Sequence, residues 1–300
     1  MFRKSLFAAI IILLLFCMGC WNRREPEAYS YLTFLAIDKA DNGQIKLGFL
    51  YTPPLSPVPT GIKPPESLSL VSTIEARSLF EGIRNSTSHL PARSFFGYVH
   101  AIIFSEELAR EGLSKYLDLI YRDHEIRKNA FVFITKGSST PLVQMDSKVP
   151  EPPGRILEGL IASEERSQGK SRVVRLKDLQ TELSGPGFDP VISVLQLWDE
   201  DGNKLVGSGE KIPKKTSVAL NGSAVFKGDK LIGWMSSEES QTYLIGKGEM
   251  RGGLLVIPHP NSEEGNVSIE FGKGKQKLTA KLNNKQVVVN LKVSINGSVG

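Results

Sequence analysis

Both cysteines of this 300-residue chain, Cys17 and Cys20, fall within its first twenty residues. Nothing beyond residue 20 can close a disulfide, build a thiolate zinc site or act as a cysteine nucleophile. The body therefore relies on its core, rather than on covalent or thiolate cross-links, for stability. Its length of about 280 residues is enough for two domains or three small ones. The 28 glycines and 17 prolines cluster between apolar runs. That is the pattern of a folded α+β body with many turns, built from mixed sheets with packed helices in two to three small domains.

The segment that holds the cysteines has its own logic. Arg3 and Lys4 give a positive start, Leu6 to Gly19 is an uncharged and mostly apolar run, and the small residue Gly19 precedes Cys20. A basic start, a short apolar stretch and a small residue at the cut make a secretory signal. The run is shorter than the roughly 20 apolar residues needed to span a bilayer. The Gly-Cys ending resembles the lipobox of bacterial lipoproteins, in which the cysteine takes a diacylglyceryl group and becomes the new N-terminus. The position three before the cysteine is usually Leu in that pattern and is Cys17 here. The expectation is a signal peptide over residues 1–19, lipid on Cys20 and a membrane-held, extracytoplasmic body. Burial of acyl chains is worth about 0.8 kcal/mol per CH₂, so two chains anchor stably.

Charge excludes one large class of partner. The formal charge is +5; subtracting Arg3 and Lys4 from 37 Lys and Arg leaves 35 against 32 Asp and Glu, about +3. That excess is small and spread along the chain, which argues against a nucleic-acid partner and is compatible with an anionic membrane surface.

Along the body, Tyr31 to Asp38 and Gln44 to Tyr51 read as strands joined by an Asn42-Gly43 hairpin turn. Thr52 to Pro65 carries six prolines and reads as an extended loop. Ser72-Thr73-Ile74-Glu75 has capping-box spacing and predicts a helix with Ala76, Leu79, Phe80 and Ile83 on one face. Gly97 to Phe104 (strand), Ser105 to Asp123 (helix, broken near Gly112) and Ala130 to Thr135 (strand) predict a crossover into one sheet. Helices are expected over Ile156 to Arg166 and Val173 to Leu183, and a strand over Val191 to Trp198, followed by an Asp201-Gly202 turn. The polar, Lys-rich Gly207 to Lys215 places a boundary between an N-terminal α+β domain, 20–210, and a C-terminal α+β domain, 211–300. In the latter, Ser217 to Phe226 and Lys230 to Met235 form a hairpin and Ser236 opens a helix. Gly252 to Pro258 resumes extended structure. Val267 to Phe271, Gln276 to Leu282 and Gln286 to Ile295 form a meander. Val287, Val289, Leu291, Val293 and Ile295 alternate, as in a half-buried strand. This apolar face has no later element to cover it, so the C-terminal domain is expected to be incomplete or to need a partner.

No enzyme motif is present. The four histidines, His89, His100, His124 and His259, make no His-Glu-x-x-His pair. His100 lies in a strand-like run and reads as structural. His124 sits in the charged cluster Arg122-Asp123-His124-Glu125-Ile126-Arg127 and reads as a solvated helix end. Gly246-Lys247-Gly248 and Gly272-Lys273-Gly274 lack the third glycine and the strand-turn-helix context of a phosphate loop. No catalytic residue, cofactor or metal is expected.

Four ordered blocks carry a family resemblance. They are Gly19-Cys20-Trp21-Asn22-Arg23-Arg24-Glu25; Leu35-Ala36-Ile37-Asp38; the run from Arg93-Ser94-Phe95-Phe96-Gly97-Tyr98-Val99-His100 through Ser105 to Gly112 and Leu119 to Arg127; and Gly222 to Gly233. The chain is similar to the Ger(x)C lipoproteins, the C subunits of nutrient germinant receptors in endospore-forming bacteria. Asn22 stands where the family commonly has Asp, and Ala36 where it has Gly. The resemblance implies a non-enzymatic role in receptor assembly or signal coupling. It places the protein on the outer face of the spore inner membrane, beside the integral membrane A and B subunits. The alternative is a solute-binding lipoprotein of a transporter. It would need two similar lobes around a cleft, and the sequence shows no such repeat.

Overall fold

A computed structural model describes residues 28–52, 69–90, 92–144, 151–198, 216–259, 265–283 and 286–299, together with residues 3–5, 7, 25, 204 and 205. Cys20, nearly all of the proline-rich stretch, the Asp201-Gly202 turn and Gly207 to Lys215 lie outside the described residues.

The centre is a mixed, 11-stranded sheet with the path β11-β10-β8-β6-β5-β1-β2-β3. Its strands are β1 (Tyr29–Lys39), β2 (Ile45–Thr52), β3 (Leu70–Ala76), β5 (Ala101–Ser105), β6 (Phe131–Thr135), β8 (Val191–Trp198), β10 (Ser217–Lys227) and β11 (Lys230–Met235). Short strands β4 (Arg93–Phe95), β7 (Val174–Arg175) and β9 (Lys204–Leu205) pair with β1, β6 and β8. The inner strands β1, β5, β6 and β8 are mutually parallel. A parallel strand is covered on both faces and so reads as a continuous apolar run, and every residue of Ala-Ile-Ile-Phe-Ser in β5 and Phe-Val-Phe-Ile-Thr in β6 is buried.

Side-chain alternation divides the core into two layers. On one face Leu35, Ile37, Ile102, Phe104 and Ile134 pack under α1 (Leu79–Ser86), α2 (Glu106–Glu111), α3 (Ser114–Arg122) and α6 (Leu176–Ser184). On the other, Phe34, Ala36, Ile103 and Phe133 meet α4 (Thr140–Val143) and α5 (Pro153–Ser163). A bulge between Leu32 and Phe34 lets Leu32 share the face of Leu35. The predicted β5–α2–α3–β6 crossover is present, and the helix breaks at Gly112, whose φ of 122° suits glycine.

Several boundaries differ from the sequence reading. Ser72 to Glu75 is not a cap; it lies in β3, paired with β2. The helix begins six residues later, where Ser78 accepts the Glu81 N–H and the Glu81 carboxylate returns to the Arg77 N–H. A second Ser-x-x-Glu thus outcompetes the first, because Thr73 and Ile74 are β-branched and lie beside an open sheet edge. Val173 to Leu183 divides into β7 and α6, and α5 passes into a π turn at Glu164–Gln168. The Ser236 cap is as predicted, a full capping box with Glu239 opening α7 (Ser237–Lys247).

The last three strands are not one meander. β12 (Gly253–Pro258), β13 (Asn266–Phe271) and β16 (Gly297–Val299) form one sheet; β14 (Lys275–Asn283) and β15 (Gln286–Ser294) form a separate hairpin. Alternation in β15 is real, because Val287, Val289 and Leu291 face Leu282, Ala280 and Leu278 across the pair. The face is nevertheless not half-buried: Leu278 is 61%, Leu282 76%, Val287 66% and Val289 56% exposed. The hairpin is held from the α7 side, where Gln276 Nε2 donates to the Lys247 carbonyl and Leu291 approaches Gly246.

Candidate functional site

The predicted lipidation residue, Cys20, lies outside the described residues. Among the described residues no helix is long and apolar enough to cross a membrane.

The polar motifs singled out in the sequence separate in space. His100 immediately precedes β5 and is 8% exposed, with Nδ1 3.2 Å from Glu158 Oε1 on α5. Its Nε2 is buried without a hydrogen bond, beside Gly154. Burial holds this imidazole below its ordinary range; Glu158 pulls upward and Arg127 opposes it. A neutral ring donating Nδ1–H to Glu158 fits these surroundings. His124 is exposed at a bend after α3. Gly246-Lys247-Gly248 ends α7, with Gly248 as a left-handed cap at φ 72°. A helix C-terminus presents carbonyls and partial negative charge, the wrong polarity for phosphate. Gly272-Lys273-Gly274 links β13 to β14. Among the described residues no group of three or more His, Cys, Asp or Glu is arranged to hold a metal ion.

Two buried polar assemblies stand out instead. Asp38, in the Leu35-Ala36-Ile37-Asp38 block, is 3% exposed near the end of β1. Its Oδ1 accepts from the Ser139 N–H at 2.6 Å and the Ser139 hydroxyl at 2.8 Å. Its Oδ2 accepts from the Ser138 hydroxyl at 2.7 Å, the Thr140 N–H at 2.8 Å and the Thr140 hydroxyl. Charge-assisted bonds are the strong ones, and this carboxylate stitches the end of β1 to the turn after β6, two strands away. Next to it Lys39 reaches Glu107 at 3.0 Å and Glu111 at 2.5 Å. Those carboxylates raise the Lys39 ammonium above its ordinary range.

The second assembly centres on Arg172, whose side chain is 9% exposed. Nε and Nη2 donate to Glu249 at 2.6 and 3.1 Å; Nη2 and Nη1 donate to Glu182 at 2.6 and 3.1 Å; Nη1 also reaches the Val191 carbonyl at 3.0 Å. A guanidinium has five N–H donors, and all five are used. Burial pulls this group down, but Glu182 and Glu249 more than offset it and hold the charge. Neighbouring bonds follow the same line: the Arg172 N–H to Ser223 Oγ, Gln241 Nε2 to the Gln168 carbonyl, and Arg251 to Glu165 at 2.9 Å. A cleft of about 700 Å³ runs beside it, lined by Glu164, Arg172, Glu249 and Met250 among others. Burial raises the Glu164 carboxyl, which accepts from the Lys170 N–H. A saturated arginine has no donor left for a ligand. Its chemistry is that of a clamp between residues before 200 and residues after 220. Sequence reasoning missed it because Glu182 and Glu249 lie 10 and 77 residues from Arg172, so no local spacing announces the triad.

Residues 22–197 match the model of a spore germination protein N-terminal domain, and residues 221–300 match that of the spore germination B3/GerAC-like C-terminal domain. The chain belongs to the Ger(x)C family of spore germination proteins. Among Ger(x)C relatives in Bacillus subtilis (strain 168), spore germination protein KC is 25% identical, over 100% of this chain and 75% of the relative. Spore germination protein B3 is 22% identical, over 98% of this chain and 74% of the relative. A solved structure, the crystal structure of the GerBC protein, aligns over 89% of this chain and 71% of that chain, at 19% identity and a TM-score of 0.48. In this Ger(x)C chain the Arg172 clamp joins the two matched regions: Arg172 and Glu182 lie in the first, Glu249 in the second. The central sheet crosses between them as well, since β10 pairs with β8.

Proposed function

We propose that this Ger(x)C chain is a lipid-anchored, non-enzymatic subunit of a spore nutrient germinant receptor. It would be tethered by acyl chains on Cys20 to the outer face of the spore inner membrane and assembled with integral membrane A and B subunits. The observation that carries this reading is the match of two germination-protein models, in order, along nearly the whole chain. Two further features agree with it. The one residue with a chemical fate written in the sequence is Cys20, behind a signal-like leader. The two buried charged groups at the centre of these assemblies are spent on holding the body together: Asp38 and Arg172 are saturated by their own chain. A protein organised this way transmits or scaffolds through its shape and surfaces. The expected domain division, 20–210 and 211–300, is kept as part of this proposal.

The test is Cys20→Ala in the sporulating host, scored by nutrient-triggered germination and by membrane retention of the chain. Loss of both supports the reading; normal germination with normal retention refutes it. Nothing specific in the structure favours the solute-binding alternative. Calorimetry of the chain against amino acids and sugars separates the two, since tight direct binding would favour a solute carrier.

A further inference from the structure

Strand β1 begins at Tyr29, nine residues after Cys20. A chain advances at most about 3.3–3.6 Å per residue, so this end of β1 stays within roughly 30 Å of an acylated Cys20. β2 runs antiparallel to β1 and β3 antiparallel to β2, while β4 lies parallel to the first residues of β1. One end of this corner of the sheet therefore gathers Tyr29 and Tyr31 of β1, Leu70 and Val71 of β3, Phe95 of β4 and Tyr98 just after it.

The four aromatic side chains form a rim rather than a scatter, while Leu70 and Val71 lie beyond β2 and point to opposite faces of the sheet. Phe95 meets Tyr29 and Tyr31 edge-on at 5.7 and 5.6 Å, and Tyr31 meets Tyr98 at 5.7 Å. Gly97 lets the Phe95 ring fold over it, because a Cβ there would stand 2.7 Å from the ring. Despite this packing, Phe95 is 41%, Tyr98 37%, Leu70 38% and Val71 46% exposed. Arg93 is exposed on the same edge. The opposite end of β1 is of another character, carrying Lys39 with Glu107 and Glu111. Eleven residues of strand at about 3.3 Å each put that charged end some 35 Å away.

Aromatic rings with a polar edge favour the membrane–water interface, and basic side chains favour anionic headgroups. We propose that this aromatic rim is the membrane-facing surface of the protein, with Phe95 and Tyr98 resting in the headgroup–acyl boundary of the bilayer that holds Cys20. The inference rests on the lipid anchor proposed above. It adds an orientation: β1 stands away from the bilayer, and the Asp38–Lys39 end points outward.

The experiment uses the full lipidated chain reconstituted in vesicles of phosphatidylcholine and phosphatidylglycerol. Once Cys20 is acylated the mature chain offers no other thiol, so Phe95→Cys and, independently, Tyr98→Cys each accept one bimane label. Ile232→Cys, on the opposite edge strand β11, is the reference. Brominated acyl chains are expected to quench the two rim labels several-fold more than the reference. Flotation with the vesicles tests the anchor separately. A chain that fails to float refutes the anchor and the rim together. A chain that floats with rim labels quenched no more than Ile232→Cys refutes the rim and leaves the anchor standing. Rim labels shielded from water but not quenched by lipid would assign the surface to a second copy of this chain and equally overturn the proposal.

Discussion

Replacing Asp38 tests whether five donors around one buried carboxylate hold the end of β1 to the turn after β6. The two backbone donors sit on different oxygens: the Ser139 N–H on Oδ1 and the Thr140 N–H on Oδ2. Asp38→Asn keeps one acceptor oxygen, so whichever way the amide turns, one buried N–H faces an NH₂ group. The three hydroxyls can rotate to accept instead of donate, but a backbone N–H cannot. An unpaired buried donor costs about 1–3 kcal/mol, which sets Asp38→Asn at about 2 kcal/mol. Asp38→Ala strands both N–H groups, and the same reasoning gives about 4 kcal/mol. Urea unfolding followed by far-UV circular dichroism at pH 7 measures both, through the midpoint shift at constant slope. Asp38→Asn within about 0.5 kcal/mol of the parent, the noise of an ordinary surface change, would refute the account. So would an Asn variant less stable than the Ala variant.

Three further outcomes follow from the same geometry. Arg172→Met leaves Glu182 and Glu249 facing each other without their cation and is expected to cost about 3 kcal/mol, part of it recovered by solvent at Glu249, which is 38% exposed; an unchanged urea midpoint would mean the clamp contributes nothing. His100 has a folded-state pKa held below its unfolded value of about 6.5, so its contribution is present at neutral pH and is lost as pH falls from about 6.5 through the folded value. Stability of the parent should therefore decline over that window, by at most about 1.4 kcal/mol per pH unit from this group, and His100→Gln should flatten the decline when both are unfolded in urea at pH 7.5 and pH 5. Leu282→Lys with Val287→Lys, a cross-strand pair on the exposed hairpin face, should change stability by less than about 0.5 kcal/mol and reduce self-association in sedimentation; a loss above about 1.5 kcal/mol would show that the face is covered.

Local chemistry made much of the architecture legible. Asn42-Gly43 gave the first hairpin, the apolar runs of β5, β6 and β8 gave the inner strands, Gly112 gave the helix break and Ser236 with Glu239 gave the start of α7. Each of these is decided within a few residues, by turn geometry, period or capping. Errors arose where two local answers competed. Ser72 to Glu75 and Ser78 to Glu81 have the same capping spacing, and only pairing with β2 separates strand from helix. The alternation of β15 announced a two-faced strand, but whether its apolar face is covered is a property of what lies opposite it.

The sequence by itself determined that no cysteine lies beyond residue 20, that no enzyme motif is present, and that ordered blocks of a germination-protein family run along the chain. These are statements about composition and short patterns, which need no third dimension. Tertiary structure decided which polar residues matter to the fold. Asp38 meets Ser139 and Thr140 across about a hundred positions, and Arg172 meets Glu249 across 77. It also decided that Tyr29, Leu70 and Phe95 share one end of a sheet. Such groupings follow from strand order and register. Those are set by the competition of many distant pairings for one core, and no window along the chain contains it.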